Sequence, residues 1–488
     1  MQSISKDLEK LSEDFSILKI EKLWIEKVKA TLDEYMAIPN VSPAFDSNWK
    51  TNGHIDNVIS LFEKFAKQNA PVNATVKVQE IENRTPLLVV DVPARNYDGD
   101  DVVLIYGHSD KQPPMKNWRD GIEPFAANYI GDRLYGRGGA DDGYAIFSSF
   151  LAISYLEEND ITHARFVLVI EASEESGSPD LPAHLEVLDS SLAKPLGEVS
   201  LVVCLDSGCL DYEHLWITQS LRGLLQVNLE VKVLNQGTHS GGAGGIVPSA
   251  FHILRELLDR IAEPGTGELK LKELHMDIPK FVKAGASNTA EILGTVQAHG
   301  LPFADGVKPL KEEVRDQLIS NTYRPALEII GIEGLPDIQN AGNVLRDKIE
   351  VALSFRLPPE VDPQTAANAV IEELKKNPPF DAHVRVETDS LASGWAAPES
   401  QDWLNHAFRV SSNMYFGNTH QVMGEGGTIP FMAMLGQKYP KSQFMVTGVL
   451  GPESNAHGPN EFLDLPTAYK VTGALAGVLQ SHGRRENG

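Results

Sequence analysis

Cysteine is nearly absent from these 488 residues: there are only Cys204 and Cys209. Two thiols cannot staple a chain this long, and alone they lack the paired spacing of a structural zinc site. A disulfide framework is excluded, and a reducing compartment is expected. Positive charge is also scarce. Lys and Arg number 43 against 67 Asp and Glu, a net charge of −24. A surface that acidic repels phosphate backbones and anionic lipid, so nucleic acid and membrane are not expected as partners. No apolar run approaches the ~20 residues of a membrane helix. The opening Met-Gln-Ser-Ile-Ser-Lys-Asp-Leu-Glu-Lys has no basic patch followed by an apolar stretch, so it does not read as a signal peptide. A soluble, cytoplasmic protein is expected. No Gly-x-Ser-x-Gly elbow is found, which leaves serine chemistry of the α/β-hydrolase type without support. Gly136-x-Gly138 and Gly242-x-Gly244 lack the further glycine of a phosphate loop. Some of the many carboxylates are free to gather around cations instead.

Composition is otherwise ordinary, at 42% hydrophobic and 23% charged, so a sizeable core can form. Apolar spacing of three and four predicts helix over residues 1–37 and 57–66. Runs 75–80 and 86–92 read as a hairpin. Short apolar strands at 102–106, 166–170 and 201–205, with a helix at 144–156, indicate an α/β layer around a mostly parallel sheet. Ligands of such sheets collect beyond the carboxyl ends of the strands. After residue 213 the texture changes. Residues 224–233 alternate like a half-exposed antiparallel strand, followed by helix 249–261, strand 349–357, helix 363–376 and strand 383–387. This is an α+β domain inserted into the first. The α/β pattern resumes with helix 401–414, strand 444–449 and helix 466–480. The expected division is a catalytic unit of residues 1–213 and 391–488 around an inserted unit of 214–390, in which 264–325 looks like an extra insertion.

Three strand ends deliver a similar cargo. The first runs into Gly107-His108-Ser109-Asp110, the second into Glu171-Ala172-Ser173-Glu174-Glu175-Ser176-Gly177 and the third into Asp206-Ser207-Gly208. Between them lies Tyr135-Gly136-Arg137-Gly138-Gly139-Ala140-Asp141-Asp142-Gly143, and the last strand leads to Asn455-Ala456-His457-Gly458. Singly, each is ordinary: Asp-Asp-Gly favours a turn, Glu-Glu a solvated helix start. Together they bring histidines and carboxylates to one rim of one sheet, a donor set suited to zinc or manganese.

In this combination and order the blocks resemble the M20 family of metallopeptidases, in particular its carnosine dipeptidase and cytosolic dipeptidase branch. Thr238-His239-Ser240-Gly241, Glu425-Gly426-Gly427-Thr428-Ile429-Pro430 and Asn455-Ala456-His457-Gly458-Pro459-Asn460-Glu461 extend the match. The resemblance implies a zinc-peptidase-like catalytic domain with an inserted lid and dimerisation domain. It implies two divalent ions per subunit, zinc first and manganese second. Asp141 would bridge them, with His108 and Asp206 completing one ion and Glu175 and His457 the other. A shared carboxylate offsets the mutual repulsion of two cations held about 3.5–4 Å apart. Glu174 would act as general base on a water between the ions. Asp110 would fix the imidazole of His108. The family's bond at the position of Asp141–Asp142 is a cis peptide. His239 would reach the active site of the partner subunit in a homodimer and stabilise the oxyanion. Asn343 and Arg356 would meet the substrate, the arginine gripping a terminal carboxylate, with Gly427 and Thr428 donating to it from a helix start.

The expected activity is hydrolysis of dipeptides or other short peptides. The alternatives are deacylation of N-acyl amino acids on the same fold and a non-catalytic scaffold; the intact ligand set and base count against the scaffold. Two departures fall on the substrate side. Relatives carry an arginine where this chain has Gly424, and a histidine near Ser393-Gly394-Trp395-Ala396. Arg222 and Arg346 are read as ordinary surface residues.

Overall fold

A computed structural model describes residues 11, 14–294, 301 and 303–485. The first residues of the expected N-terminal helix, 1–10, 12 and 13, lie outside them. Helix runs through Ile17–Leu23, Trp24–Val28 and Lys29–Ala37, the middle piece with wider π-type turns.

The central sheet has six strands in the order Thr75–Gln79, Leu87–Val92, Arg165–Glu171, Val102–His108, Val199–Cys204, Gln443–Val446. Its last three neighbouring pairs are parallel and the first two antiparallel. Only Leu87–Val92 therefore runs against the rest. The strands are apolar on both faces because helices cover both. Val103, Ile105, Leu168 and Val203 pack on one side with Phe62, Phe147, Phe408 and Leu475. Leu104, Tyr106, Val169 and Val202 pack on the other with Leu181, Phe431 and Leu435. The closing helix, Leu465–Gly483, starts on Asp464, whose side chain accepts from the backbone N–H of Thr467, with proline in the first turn. Both features favour a helix start at that residue.

A second sheet is wholly antiparallel, ordered Ala326–Glu333, Lys348–Leu357, Gly223–Lys232, His383–Ala392. Leu225, Val227, Leu229 and Val231 alternate inward against helices Ala250–Ile261 and Pro363–Lys375, forming a core of their own. The edge strand Ala326–Glu333 and helices Lys280–Leu293 and Val314–Tyr323 are additional to the expected elements. A small third sheet joins Trp395–Ala396, Trp216–Leu221 and Gln421–Glu425. The strand expected at 444–449 leaves the central sheet after Val446.

Candidate metal centre

The rim of the central sheet gathers the predicted residues. His108 is the last residue of its strand, opposite Glu171. Glu174 and Glu175 sit in the short 3₁₀ turn after Glu171, and Asp206 follows the strand ending at Cys204. Asp141 lies just before helix Tyr144–Glu158, and the Asp141–Asp142 peptide is cis. His457 comes from the loop after Gln443–Val446, where Glu453, Asn455, His457 and Asn460 all have positive φ.

The two carboxylate oxygens of Asp141 face different partners. Oδ1 lies 3.2 Å from Nε2 of His108, and Oδ2 lies 3.0 Å from Nε2 of His457. His108 Nε2 is also 3.7 Å from Asp206 Oδ2, and His457 Nε2 is 3.3 Å from Glu175 Oε2. Among the described residues two clusters converge tightly enough to hold an ion: His108, Asp141 and Glu175, and His108, Glu174 and Asp206. Asp110 stands behind them. Its oxygens accept from the backbone N–H groups of Glu174 and Glu175, each at 3.1 Å, and Oδ1 lies 3.5 Å from Nδ1 of His108. A proton on Nδ1 faces Asp110 in this geometry, leaving Nε2 for an ion.

Charge is badly balanced here. Burial and the Asp206 charge push the Glu174 carboxyl well above its ordinary range, and burial and Asp141 do the same to Glu175. Asp141 moves the opposite way: burial opposes its charge, but hydrogen bonds from His108 and His457 hold it low. Burial disfavours the His108 cation, yet Asp206, Asp110 and Asp141 together raise its pKa well above normal. Oε1 of Glu175 and Oδ1 of Asp142 are buried without a hydrogen-bond partner. Crowded carboxylates with unsatisfied buried oxygens fit divalent cations, which supply both charge and coordination.

The remaining predicted residues form two separate groups. His239 and Asn343 meet on an exposed two-stranded ladder, Thr238–His239 against Val344–Leu345, with Ser240 N donating to Asn343 O at 2.9 Å. His239 Nδ1 accepts from Gly241 N at 3.1 Å, capping the glycine turn. Arg356 is elsewhere, donating to the Thr428 hydroxyl at 3.0 Å. That hydroxyl in turn donates to Arg222 O at 2.6 Å, so its single proton is committed. A Cβ built on Gly427 would meet nothing within 4 Å, so the loop is open there.

Arg222 corrects the sequence reading: it is buried, with 7% of its surface exposed. Its sequence signal was a cation entering the alternating strand 223–232, which gives no indication of burial. Three acidic residues also escaped attention. Glu425 accepts from Ser207 Oγ and Gly208 N at 2.8 and 2.7 Å beside Asp206. Glu171, raised to about 7 by burial, accepts from Tyr106 at 2.6 Å and Ser178 at 2.8 Å. Glu461 pairs with Arg137 in the interior. All three lie within motif blocks already singled out, and their proximity to named ligands was the available clue.

A family model described as peptidase family M20/M25/M40 matches residues 104–481. The cysteinylglycine-S-conjugate dipeptidase of Corynebacterium striatum is 26% identical over 396 residues, 78% of this chain and 81% of the relative. The solved structure of the dipeptidase Dug1p from Saccharomyces cerevisiae superposes with a TM-score of 0.74 at 20% identity, covering 97% of this chain and 99% of its own. Human carnosine dipeptidase 1 gives 0.70 at 20% identity, covering 98% and 99%.

Proposed function

This chain belongs to the peptidase family M20/M25/M40, and we propose that it is a two-metal dipeptidase hydrolysing dipeptides and other short peptides. The observation that carries the reading is Asp141, whose two oxygens each face a different histidine–carboxylate pair. His108 and Asp206 would hold one divalent ion and Glu175 and His457 the other, with Asp141 shared; zinc is the first candidate and manganese the second. When bound, such ions polarise the scissile carbonyl and make water more acidic.

The chain's own groups do the rest. Glu174, beside Asp206 and outside the two histidine–carboxylate pairs, takes the proton of the attacking water and returns it to the leaving amine. Asp110 fixes both glutamates through their backbone N–H groups and holds the His108 ring. Arg356 receives the substrate's free carboxylate, oriented by Thr428. Residues 1–213 with 391–488 form the catalytic unit, and residues 214–390 the lid.

The lid would also dimerise, bringing His239 and Asn343 to the partner's active site. Two features support this. Both residues are exposed, and the edge strand Ala326–Glu333 presents Ile329, Ile330 and Ile332, each more than half exposed. Such a surface invites a second copy. Among the described residues no helix is long and apolar enough to cross a membrane; the free thiols Cys204 and Cys209 suit a reducing cytoplasm.

The test is mass spectrometry of a mixed pool of dipeptides and N-acetyl amino acids, incubated with metal-depleted protein with and without zinc or manganese. Metal-dependent loss of dipeptides alone is expected. Loss of only the acetylated members would move the function to deacylation, and loss of neither would remove the peptidase reading.

A further inference from the structure

A short chain of hydrogen bonds joins the Arg356 guanidinium to the backbone of Arg222: Arg356 donates to Thr428 Oγ1, which donates to the carbonyl of Arg222. Among the described residues neither has a carboxylate partner, and Arg222 is almost wholly buried. A buried cation left without an anion is costly, so Arg222, with the partly buried Arg356 in the same corner, points to an anion that arrives from outside.

Arg222 also brackets the loop between them. Its backbone N–H donates to Glu425 O at 3.3 Å, its Nε to Gly426 O at 3.1 Å, and its carbonyl takes the Thr428 proton. Three of the four residues Glu425–Thr428 are thus held by one residue. The same guanidinium reaches the other way, to Asn321 Oδ1 at 3.3 Å and Arg324 O at 3.5 Å. These belong to the end of helix Val314–Tyr323 and the residue after it, within the segment 264–325.

That segment packs hard against the loop. A Cβ on Gly424 would sit 2.4 Å from Ser220 Oγ and 2.9 Å from Thr322 Cγ2, and a Cβ on Gly426 2.6 Å from Asn321 Oδ1. Only a cleft of about 50 Å³ remains between helix Lys280–Leu293, helix Val314–Tyr323 and strand Gln421–Glu425. Gly424 therefore has no room for a side chain between Ser220 and the end of helix Val314–Tyr323.

We propose that Arg222 is a positioning residue for recognition of the substrate's free carboxylate, braced by Asn321 and Arg324 of the inserted segment. It fixes the Glu425–Thr428 loop, and with it the hydroxyl that aims Arg356, and it adds a second positive charge to that corner. The end of helix Val314–Tyr323 is accordingly part of the substrate pocket. The inference rests on the dipeptidase reading for the identity of the anion.

The test is calorimetric binding of a dipeptide and its C-terminal amide to the metal-loaded full chain carrying Glu174→Gln, which removes turnover. Arg222→Ala should lower the preference for the free acid at least tenfold while affinity for the amide changes little. Arg222→Lys, which keeps the charge but not the fork, should fall between, and Asn321→Ala should shift the preference the same way by a smaller factor. If Arg222→Ala does not fold, the other two variants carry the result. Equal weakening of acid and amide in those variants, or a parent that binds both alike, overturns the inference. Turnover of dipeptides by the wild type tests the dipeptidase reading separately.

Discussion

Replacing Glu461 with leucine should be among the most damaging single changes around the central sheet. Glu461 pairs with Arg137, and both side chains are almost completely inaccessible. Arg137 further donates to Gly458 O at 2.8 Å and Pro113 O at 3.2 Å, and Glu461 Oε1 accepts from Gly138 N at 2.9 Å. The pair therefore ties the loop leading to Asp141 to the loop carrying His457. Burial drives the Glu461 carboxyl up to about 7 while Arg137 pulls it down. Removing one member of a buried pair costs about 3–5 kcal/mol, because the survivor stays buried and uncompensated. With a urea m-value of about 3 kcal/mol per M, the unfolding midpoint should fall by about 1–1.7 M. Fluorescence of Trp118, whose ring lies 5.9 Å from the Arg137 guanidinium, reports the transition. Arg137→Met combined with Glu461→Leu should recover at least half the loss, since an apolar pair needs no compensation. A single variant within about 0.3 M of wild type, or a double variant no better than Glu461→Leu, would refute the reasoning.

Three further outcomes are expected. Glu174→Gln should bind metal as the wild type does yet lose about 10²–10⁴-fold in kcat, the range assigned to a positioned base; a nearly active variant removes the role. Arg356→Ala should raise KM for free-acid peptides at least tenfold and leave C-terminal amides unaffected; equal effects on both contradict the carboxylate grip. His482 is buried against Ser200 Oγ at 2.8 Å, with Asp101 at 3.5 Å and Arg485 nearby. Burial, then Arg485, depress its pKa to about 3. The unfolded chain thus binds this proton more readily, and the group's stabilisation, present above about pH 6.5, is lost as pH falls towards 3. Between pH 7 and 5 the loss is about 2 kcal/mol, so His482→Gln should lower the wild-type pH slope by that much; parallel slopes contradict the assignment.

Much of the candidate metal centre's assembly was legible because its residues stand in local sequence blocks. His108 closes a short apolar strand and Glu174, Glu175 and Asp206 follow two others, and parallel strands place such ends on one rim. Strand Gly223–Lys232 was legible for the same kind of reason: its alternation matches its burial residue for residue. The edge strand Ala326–Glu333 was not. Ile329, Ile330 and Ile332 are apolar yet exposed, so its pattern has no buried face to declare it. Arg222 was missed because its partners, Asn321, Arg324 and Gly426, lie about a hundred or two hundred positions away. Burial created by long-range packing leaves no local periodicity. Gly424 was legible only as a departure; the side chains that crowd it, Ser220 and Thr322, are likewise remote.

The central claim is that Asp141 joins two ions, and metal stoichiometry tests it most directly. Wild type and Asp141→Ala would each be loaded with zinc, desalted and analysed by inductively coupled plasma mass spectrometry beside a circular dichroism check of folding. Two ions per wild-type chain and almost none in the folded variant are the expected result. One ion retained in the folded Asp141→Ala chain would make Asp141 a ligand of a single metal and contradict the bridge.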